Sequence, residues 1–146
     1  MIYIGSDHAG FIQKQKLVEY LKKKNIPFED VGTNSTESTD YPIYAKKVCE
    51  HIKTKDDLGV LVCGSGIGMS MVANKYKHIR ACLAVNKKMA YLGRHHNNAN
   101  VLVLQGRNKL SICNKRILKT FLKESFDGGR HIKRLEMFST INNEEN

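Results

Sequence analysis

The sequence predicts an α/β fold: a three-layer sandwich in which a five-stranded parallel sheet is covered by helices on both faces. Three observations predict it. Short apolar runs alternate with amphipathic stretches along most of the chain, which is the pattern of repeated β/α units. The run Leu58–Cys63 is nearly continuous in apolar residues, as a strand buried on both faces should be, and it stops at a glycine-rich turn before helical spacing resumes. The length of 146 residues suits one hydrophobic core. Open sheets of this kind bind ligands outside the carboxyl ends of their strands, so functional residues are expected just after strands.

Taken in order, residues 1–4 read as the first strand, followed by a helix with Phe11, Leu17, Val18 and Leu21 on one side. Residues 28–31 read as the second strand. The polar segment 32–40, rich in Thr and Ser, reads as a loop that enters a helix through Tyr41-Pro42, where proline suits the first turn. That helix carries Tyr44, Ala45, Val48, Cys49 and Ile52 at helical spacing. After the third strand and the loop 64–68, Met69, Val72, Ala73 and Tyr76 mark the next helix. Residues 79–85 repeat the strand signal, 87–93 a helix, 101–104 a fifth strand and 111–123 a further helix. A last helix is expected over 130–138 after the Gly128-Gly129 break, then a fraying polar tail over 139–146. No repeat or linker interrupts the chain, which reads as a single domain over 1–146.

The charge balance is conspicuous, with 24 Lys and Arg against 14 Asp and Glu for a formal +10. Such a balance raises nucleic acid, an anionic membrane surface or a phosphorylated substrate as partner. Most of it is lysine: Lys14, Lys16, Lys22, Lys23, Lys24, Lys46, Lys47, Lys53 and Lys55 decorate the polar sides or ends of helices and read as a solvated surface. No RNA-type aromatic strand, helix-turn-helix spacing or zinc finger accompanies them, so no nucleic-acid partner is expected. No stretch approaches the roughly 18 apolar residues of a membrane span, so no membrane role is expected either. The N-terminus lacks the basic start and apolar stretch of a secretory signal, which predicts a cytoplasmic protein without disulfides. Cys49, Cys82 and Cys113 fall on apolar strand or helix positions and read as core thiols. Without C-x-x-C, H-x-x-x-H or H-E-x-x-H spacing, no metal site is expected.

Chemistry-bearing residues cluster after strands. Gly64-Ser65-Gly66-Ile67-Gly68 lacks the spacing of a dinucleotide fingerprint or a P-loop, but its backbone N–H groups could hold an anion or a developing oxyanion; a plain tight turn is the alternative. Cys63 immediately precedes it, beside a helix N-terminus, where a thiol pKa is expected to fall below its usual value and a thiolate could abstract a proton; otherwise it is a buried strand end. Asp7 and His8 follow the first strand, where an acid beside an imidazole can orient hydroxyls and exchange protons. His95 and His96 end the fourth helix before Asn97, and spacing alone leaves a chemical role and a helix-capping role equally open. Arg130 and Arg134 stand four apart, so a helix there projects both from one face, as phosphate binding or a solvated surface would have it.

Together, Ser6-Asp-His-Ala-Gly10, Asp40-Tyr-Pro42, Cys63-Gly-Ser-Gly-Ile-Gly68, Ala73-Asn-Lys75, Arg94-His-His-Asn97, Asn100-Val101 and Gly128-Gly-Arg-His131 closely resemble the ribose-5-phosphate isomerase B family, in the group that includes the galactose-6-phosphate isomerase subunits. The resemblance runs in order along nearly the whole chain. It implies a Rossmann-like sheet and a cofactor-free aldose–ketose isomerase of the non-oxidative pentose phosphate pathway. It also implies a homodimer, with a tetramer as the alternative, whose active sites lie between subunits. By the same resemblance Cys63 is the base that moves a proton between C1 and C2 through a cis-enediolate, and His96 assists ring opening. Asp7 and His8 contact the sugar hydroxyls or the phosphate end, and Asn97 is a further ligand. Gly64, Ser65, Gly66, Ile67 and Gly68 form the hole for enediolate charge, with Ser65 where Thr is frequent. Arg107, Arg130 and Arg134 hold the phosphate. Some members use a glutamate elsewhere in place of the cysteine; this chain has the Cys63 form. His96 rather than His95 is chosen because Asn97 follows it directly. The rival readings are an isomerase of a six-carbon sugar phosphate, such as allose or galactose 6-phosphate, and a non-catalytic phosphate-binding module.

Overall fold

A computed structural model describes residues 1–107 and 113–141. Five strands, β1 (Ile2–Ser6), β2 (Phe28–Asp30), β3 (Leu58–Cys63), β4 (Ala81–Leu83) and β5 (Val101–Gln105), form one parallel sheet in the order β2-β1-β3-β5-β4. The helices are α1 (Phe11–Lys23), α2 (Tyr41–His51), α3 (Ile67–Ala73), α4 (Lys87–His95), α5 (Asn114–Lys123) and α6 (Arg130–Glu136), the last continuing into a 3₁₀ turn over Met137–Thr140. Among the described residues no helix is long and apolar enough to cross a membrane.

Strand order and crossover handedness decide which face each helix covers. The chain moves outward from β1 to β2 and then back past β1 to β3, so right-handed crossovers put α1 and α2 on opposite faces. The β3-to-β4 step continues in the second direction and leaves α3 beside α2. The return from β4 to β5 brings α4 round to the α1 side, where α5 joins it. Two apolar layers result. Leu17, Val18 and Leu21 of α1, Ala90 of α4 and Phe121 of α5 pack on Val60, Val62, Leu102 and Leu104. Val48 and Cys49 of α2 and Met69 of α3 pack on Leu61, Cys63, Val101 and Val103. Successive residues of β3 and β5 face opposite layers, which is why those strands read as unbroken apolar runs.

Several boundaries differ from the sequence reading for physical reasons. Strand β4 pairs only with β5 and lies at the sheet edge, so it is Ala81–Leu83 rather than 79–85; Ile79 is buried ahead of it and Val85 is exposed behind it. Strand β1 runs on to Ser6 because it pairs with β3 as far as Val62. Residues 108–112 lie outside the described residues, so the beginning of the helix expected over 111–123 falls there, as does 142–146 of the expected tail. The helix expected over 130–138 is α-helical only to Glu136.

One lysine contradicts the reading of a solvated basic surface. Lys14 is fully buried, whereas Lys16, Lys22, Lys23, Lys24, Lys46, Lys47, Lys53 and Lys55 are exposed. It occupies the same face of α1 as Leu17, Val18 and Leu21, which points it inward. Its ammonium donates to both carboxylate oxygens of Asp30, at 2.5 and 2.7 Å, and to the carbonyl of Thr33 at 2.7 Å. A buried ammonium is tolerable only with its charge paired and its donors satisfied, and Lys14 meets both conditions.

The strand ends are keyed together by glycines. A Cβ at Gly10 would strike the Val62 carbonyl, and one at Gly106 would lie 2.5 Å from the Ala9 carbonyl oxygen. The turn after β1 therefore touches the end of β3 on one side and the turn after β5 on the other, backbone to backbone. Gly10→Ala should lower unfolding stability by about 1–3 kcal/mol, the usual range for forcing an extra carbon into a packed region. Denaturant midpoints at unchanged slope would show it; an unchanged midpoint would mean that the turn can yield.

Candidate active site

The reversal of direction between β1 and β3 opens a crevice where the turns after these two neighbours diverge toward α1 and α3, the position at which doubly wound sheets bind ligands. Asp7 and His8 line one side. Asp7 is buried, and its Oδ1 accepts the Gly10 N–H at 3.0 Å, closing the turn into α1. His8 is partly buried, and its Nδ1 accepts the Thr39 backbone N–H at 3.1 Å. An N–H can only donate, so in the neutral ring the proton is on Nε2, which is left to act as a donor. The hydroxyls of Ser6 and Thr39 are buried nearby in the chain with no hydrogen-bond partner among the described residues.

Cys63 ends β3 on the other side of the crevice, 4% exposed. Burial pushes its thiol above the ordinary range, and the Asp7 carboxylate adds to that. The backbone N–H groups of Met69, Gly66 and Ser65 pull the other way without prevailing. The expected lowering by the helix N-terminus is therefore overturned: the donors are present, but α3 is short and the loss of hydration outweighs them.

The loop after Cys63 is shaped by its surroundings. Gly66 has φ +80°, and a side chain there would also run into Leu83. The Ser65 hydroxyl accepts the Ile67 N–H at 3.2 Å, and Ser65 is exposed. Gly68 lets the Tyr41 ring lie against α3, since a Cβ at 68 would come within 2.5 Å of it. Arg107 joins this loop because the Gly106 N–H donates to the Cys63 carbonyl at 2.7 Å and the Arg107 N–H to the Gly64 carbonyl at 3.1 Å. Gly64, Ser65, Gln105 and Arg107 line a cavity of about 450 Å³. Gln105, which the sequence reading missed, donates from Nε2 to the Ser65 carbonyl at 3.1 Å. Tyr41 was also given no role; its place at the end of the polar loop, just before Pro42, was the available signal.

The remaining candidate residues form a second cluster elsewhere. Helix α4 runs antiparallel to the strands, so His96 and Asn97 at its end lie toward the beginning of β5, at the opposite edge of the sheet from Cys63. The His96 ring stacks on buried His131 of α6, with centroids 4.4 Å apart. Desolvation, His96, Arg130 and Arg134 all hold the His131 imidazole below its ordinary pKa, with Asp127 opposing, so this cluster is electropositive. Arg130, Arg134 and Asn97 are exposed there. His95 is otherwise engaged: its Nδ1 is 3.2 Å from the Ser125 carbonyl, its Nε2 is 3.8 Å from Asp127, and its ring stacks on Tyr91. A larger cavity of about 960 Å³ opens beside Asn97, with Arg80, Ile132 and Leu135 among its lining residues. Among the described residues, no group of three His, Cys, Asp or Glu side chains could hold a metal ion.

The chain can be compared with known proteins. The profile of the family described as Ribose/Galactose Isomerase matches residues 2–138. The ribose-5-phosphate isomerase B of Escherichia coli is 38% identical over 146 residues, covering 99% of this chain and 98% of its own. A ribose 5-phosphate isomerase structure from Thermotoga maritima superposes with a TM-score of 0.92 at 50% identity, covering 96% of this chain and 97% of that one. The ribose-5-phosphate isomerase B of Mycoplasma genitalium, solved with bound ribulose-5-phosphate, gives 0.87 at 42% identity, covering 93% and 91%. With its profile matched over residues 2–138 and relatives covered almost end to end, the chain belongs to the ribose/galactose isomerase family.

Proposed function

We propose that this isomerase interconverts D-ribose 5-phosphate and D-ribulose 5-phosphate, in the cytoplasm and within the non-oxidative pentose phosphate pathway, at a site completed by a second copy of the chain. The observation that carries the reading is Cys63, enclosed at the switch-point crevice with three backbone N–H groups acting on its sulfur. It is supported by the ribulose-5-phosphate bound to the Mycoplasma genitalium relative.

In the aldose-to-ketose direction the Cys63 thiolate removes the proton from C2. The C–H electron pair forms the C1–C2 double bond of a cis-enediolate, and the C1 carbonyl oxygen takes up the charge. Backbone N–H groups of the loop from Gly64 to Gly68, with the Ser65 hydroxyl, stabilise that charge. Return of the proton to C1, with transfer of the O2 proton to O1, gives the ketose. A raised thiol pKa makes the thiolate a stronger base while reducing how much of it is present, so proton abstraction depends on the loop donors. Asp7 and the Nε2–H of His8 contact sugar hydroxyls, and Arg107 reaches the phosphate.

His96, Asn97, Arg130 and Arg134 have complementary chemistry at the wrong edge of the same chain. A twofold pairing brings the electropositive edge of one protomer to the thiol edge of its partner, so that His96 assists ring opening and the arginines bind phosphate in forked geometry.

Four outcomes check this reading. Purified protein should turn over ribose 5-phosphate more efficiently than a six-carbon sugar 6-phosphate, and Cys63→Ala should lower kcat by roughly 10²–10⁴-fold, the span of general-base catalysis. Full turnover by the variant, or preference for the hexose, would refute the assignment. Mass-spectrometric mapping of alkylation should show Cys63 reacting ever faster as pH rises beyond 9, its ordinary thiol value, because burial raises its pKa; a plateau below pH 8 would contradict that. Finally, mixing inactive Cys63→Ala with inactive His96→Asn under subunit exchange should restore about a quarter of wild-type activity, since half of the random pairs then carry one intact shared site. No recovery would place both residues in one chain's site.

A further inference from the structure

We infer that the pair formed by buried Lys14 and part-buried Asp30 is a positioning device that fixes the tautomer and orientation of His8 through the loop spanning 32–40. The inference rests on the reading of His8 as a substrate contact. A buried ion pair is seldom worth more in stability than apolar side chains of similar size, so a lysine on the apolar face of α1 calls for a role beyond filling space.

Its three donors go to three acceptors on two segments: both carboxylate oxygens of Asp30 at the end of β2, and the carbonyl of Thr33 in the loop. The same carboxylate accepts the Gly32 N–H at 2.9 Å, so Asp30 is held from both sides. Ser6 donates to the Gly32 carbonyl and Thr33 to the Ser6 carbonyl, each at 2.7 Å, which ties the start of the loop to the end of β1 two residues before His8. The loop is then exposed from residue 34 to 38, and its far end returns with the Thr39 N–H on His8 Nδ1. On the α1 side, the Lys14 N–H bonds the Gly10 carbonyl at 2.8 Å, and the Phe11 N–H meets the His8 carbonyl at 3.4 Å. His8 thus stands between two segments that Lys14 joins: the turn that carries its backbone and the loop that holds its ring. With the ammonium gone, the Thr33 carbonyl loses its anchor, the part-buried Asp30 carboxylate loses its counter-charge, and the Thr39 N–H is held less firmly against Nδ1.

The test uses the full chain with Lys14→Met, and Lys14→Met/Asp30→Leu, which removes both charges should the single variant not fold. Long-range ¹H–¹⁵N spectra should show His8 of the wild type in the Nε2–H form alone and His8 of the variant exchanging between tautomers. A ring that stays locked overturns the inference. In kinetics, the change at Lys14 should lower kcat/KM by roughly tenfold to a hundredfold, as sub-ångström misplacement of a contact does. In a His8→Ala background the same change should cost less than about twofold, because residues acting through one another are non-additive. Equal losses in both backgrounds overturn the inference and leave Lys14 a general structural residue. If His8→Ala alone costs nothing, the reading of His8 as a substrate contact fails, and the spectra alone decide whether Lys14 positions the ring.

Discussion

Where the candidate residues sit follows from one constraint: every strand of the sheet runs parallel to its neighbours, so each crossover helix must return antiparallel to the strand it follows. Residues just after a strand and residues at the end of the next helix are thereby sent to opposite edges of the sheet. The reversal at β1 and β3 makes one edge concave and gathers Asp7, His8, Cys63 and Arg107 there. The same rule carries His96 and Asn97 on α4 to the other edge, beside α6. A thiol half and an electropositive half are built by one topology and separated by it.

The two halves differ in how they handle desolvation. Cys63 is buried almost completely, and three N–H donors only partly offset what its thiolate loses in hydration. At the other edge, like charges are crowded: His131 sits against His96, Arg130 and Arg134, and holding off its proton relieves the repulsion. An arriving dianion would relieve the crowding at the cationic edge by neutralising it.

How much of this was legible depended on range. The strands β3 and β5 and their flanking helices were readable because alternate residues face two apolar layers, leaving continuous runs such as Leu58–Cys63. That Cys63, Asp7 and His8 gather at one end of the sheet was readable because Cys63 ends a strand and the other two follow one. The order β3-β5-β4 was not, since nothing local tells β5 to insert between its predecessors. Lys14 was misread although it stands three and four residues before Leu17 and Val18, on the buried stripe; its partner Asp30 lies sixteen residues away, and only tertiary structure joins them. The Cys63 pKa was misjudged because a helix N-terminus can be recognised in sequence and the depth of burial cannot.

The sheet also acts as a ruler. The thiol edge and the electropositive edge lie at opposite ends of the same strands, so the length of those strands sets the distance between them. At about 3.3 Å per residue, β3 with six residues gives a spacing of roughly 20 Å. Changes in side chains can reshape either edge, but the two can move apart only if the strands gain residues. Lengthening one strand would break its register with its neighbours, so the spacing belongs to the sheet as a whole.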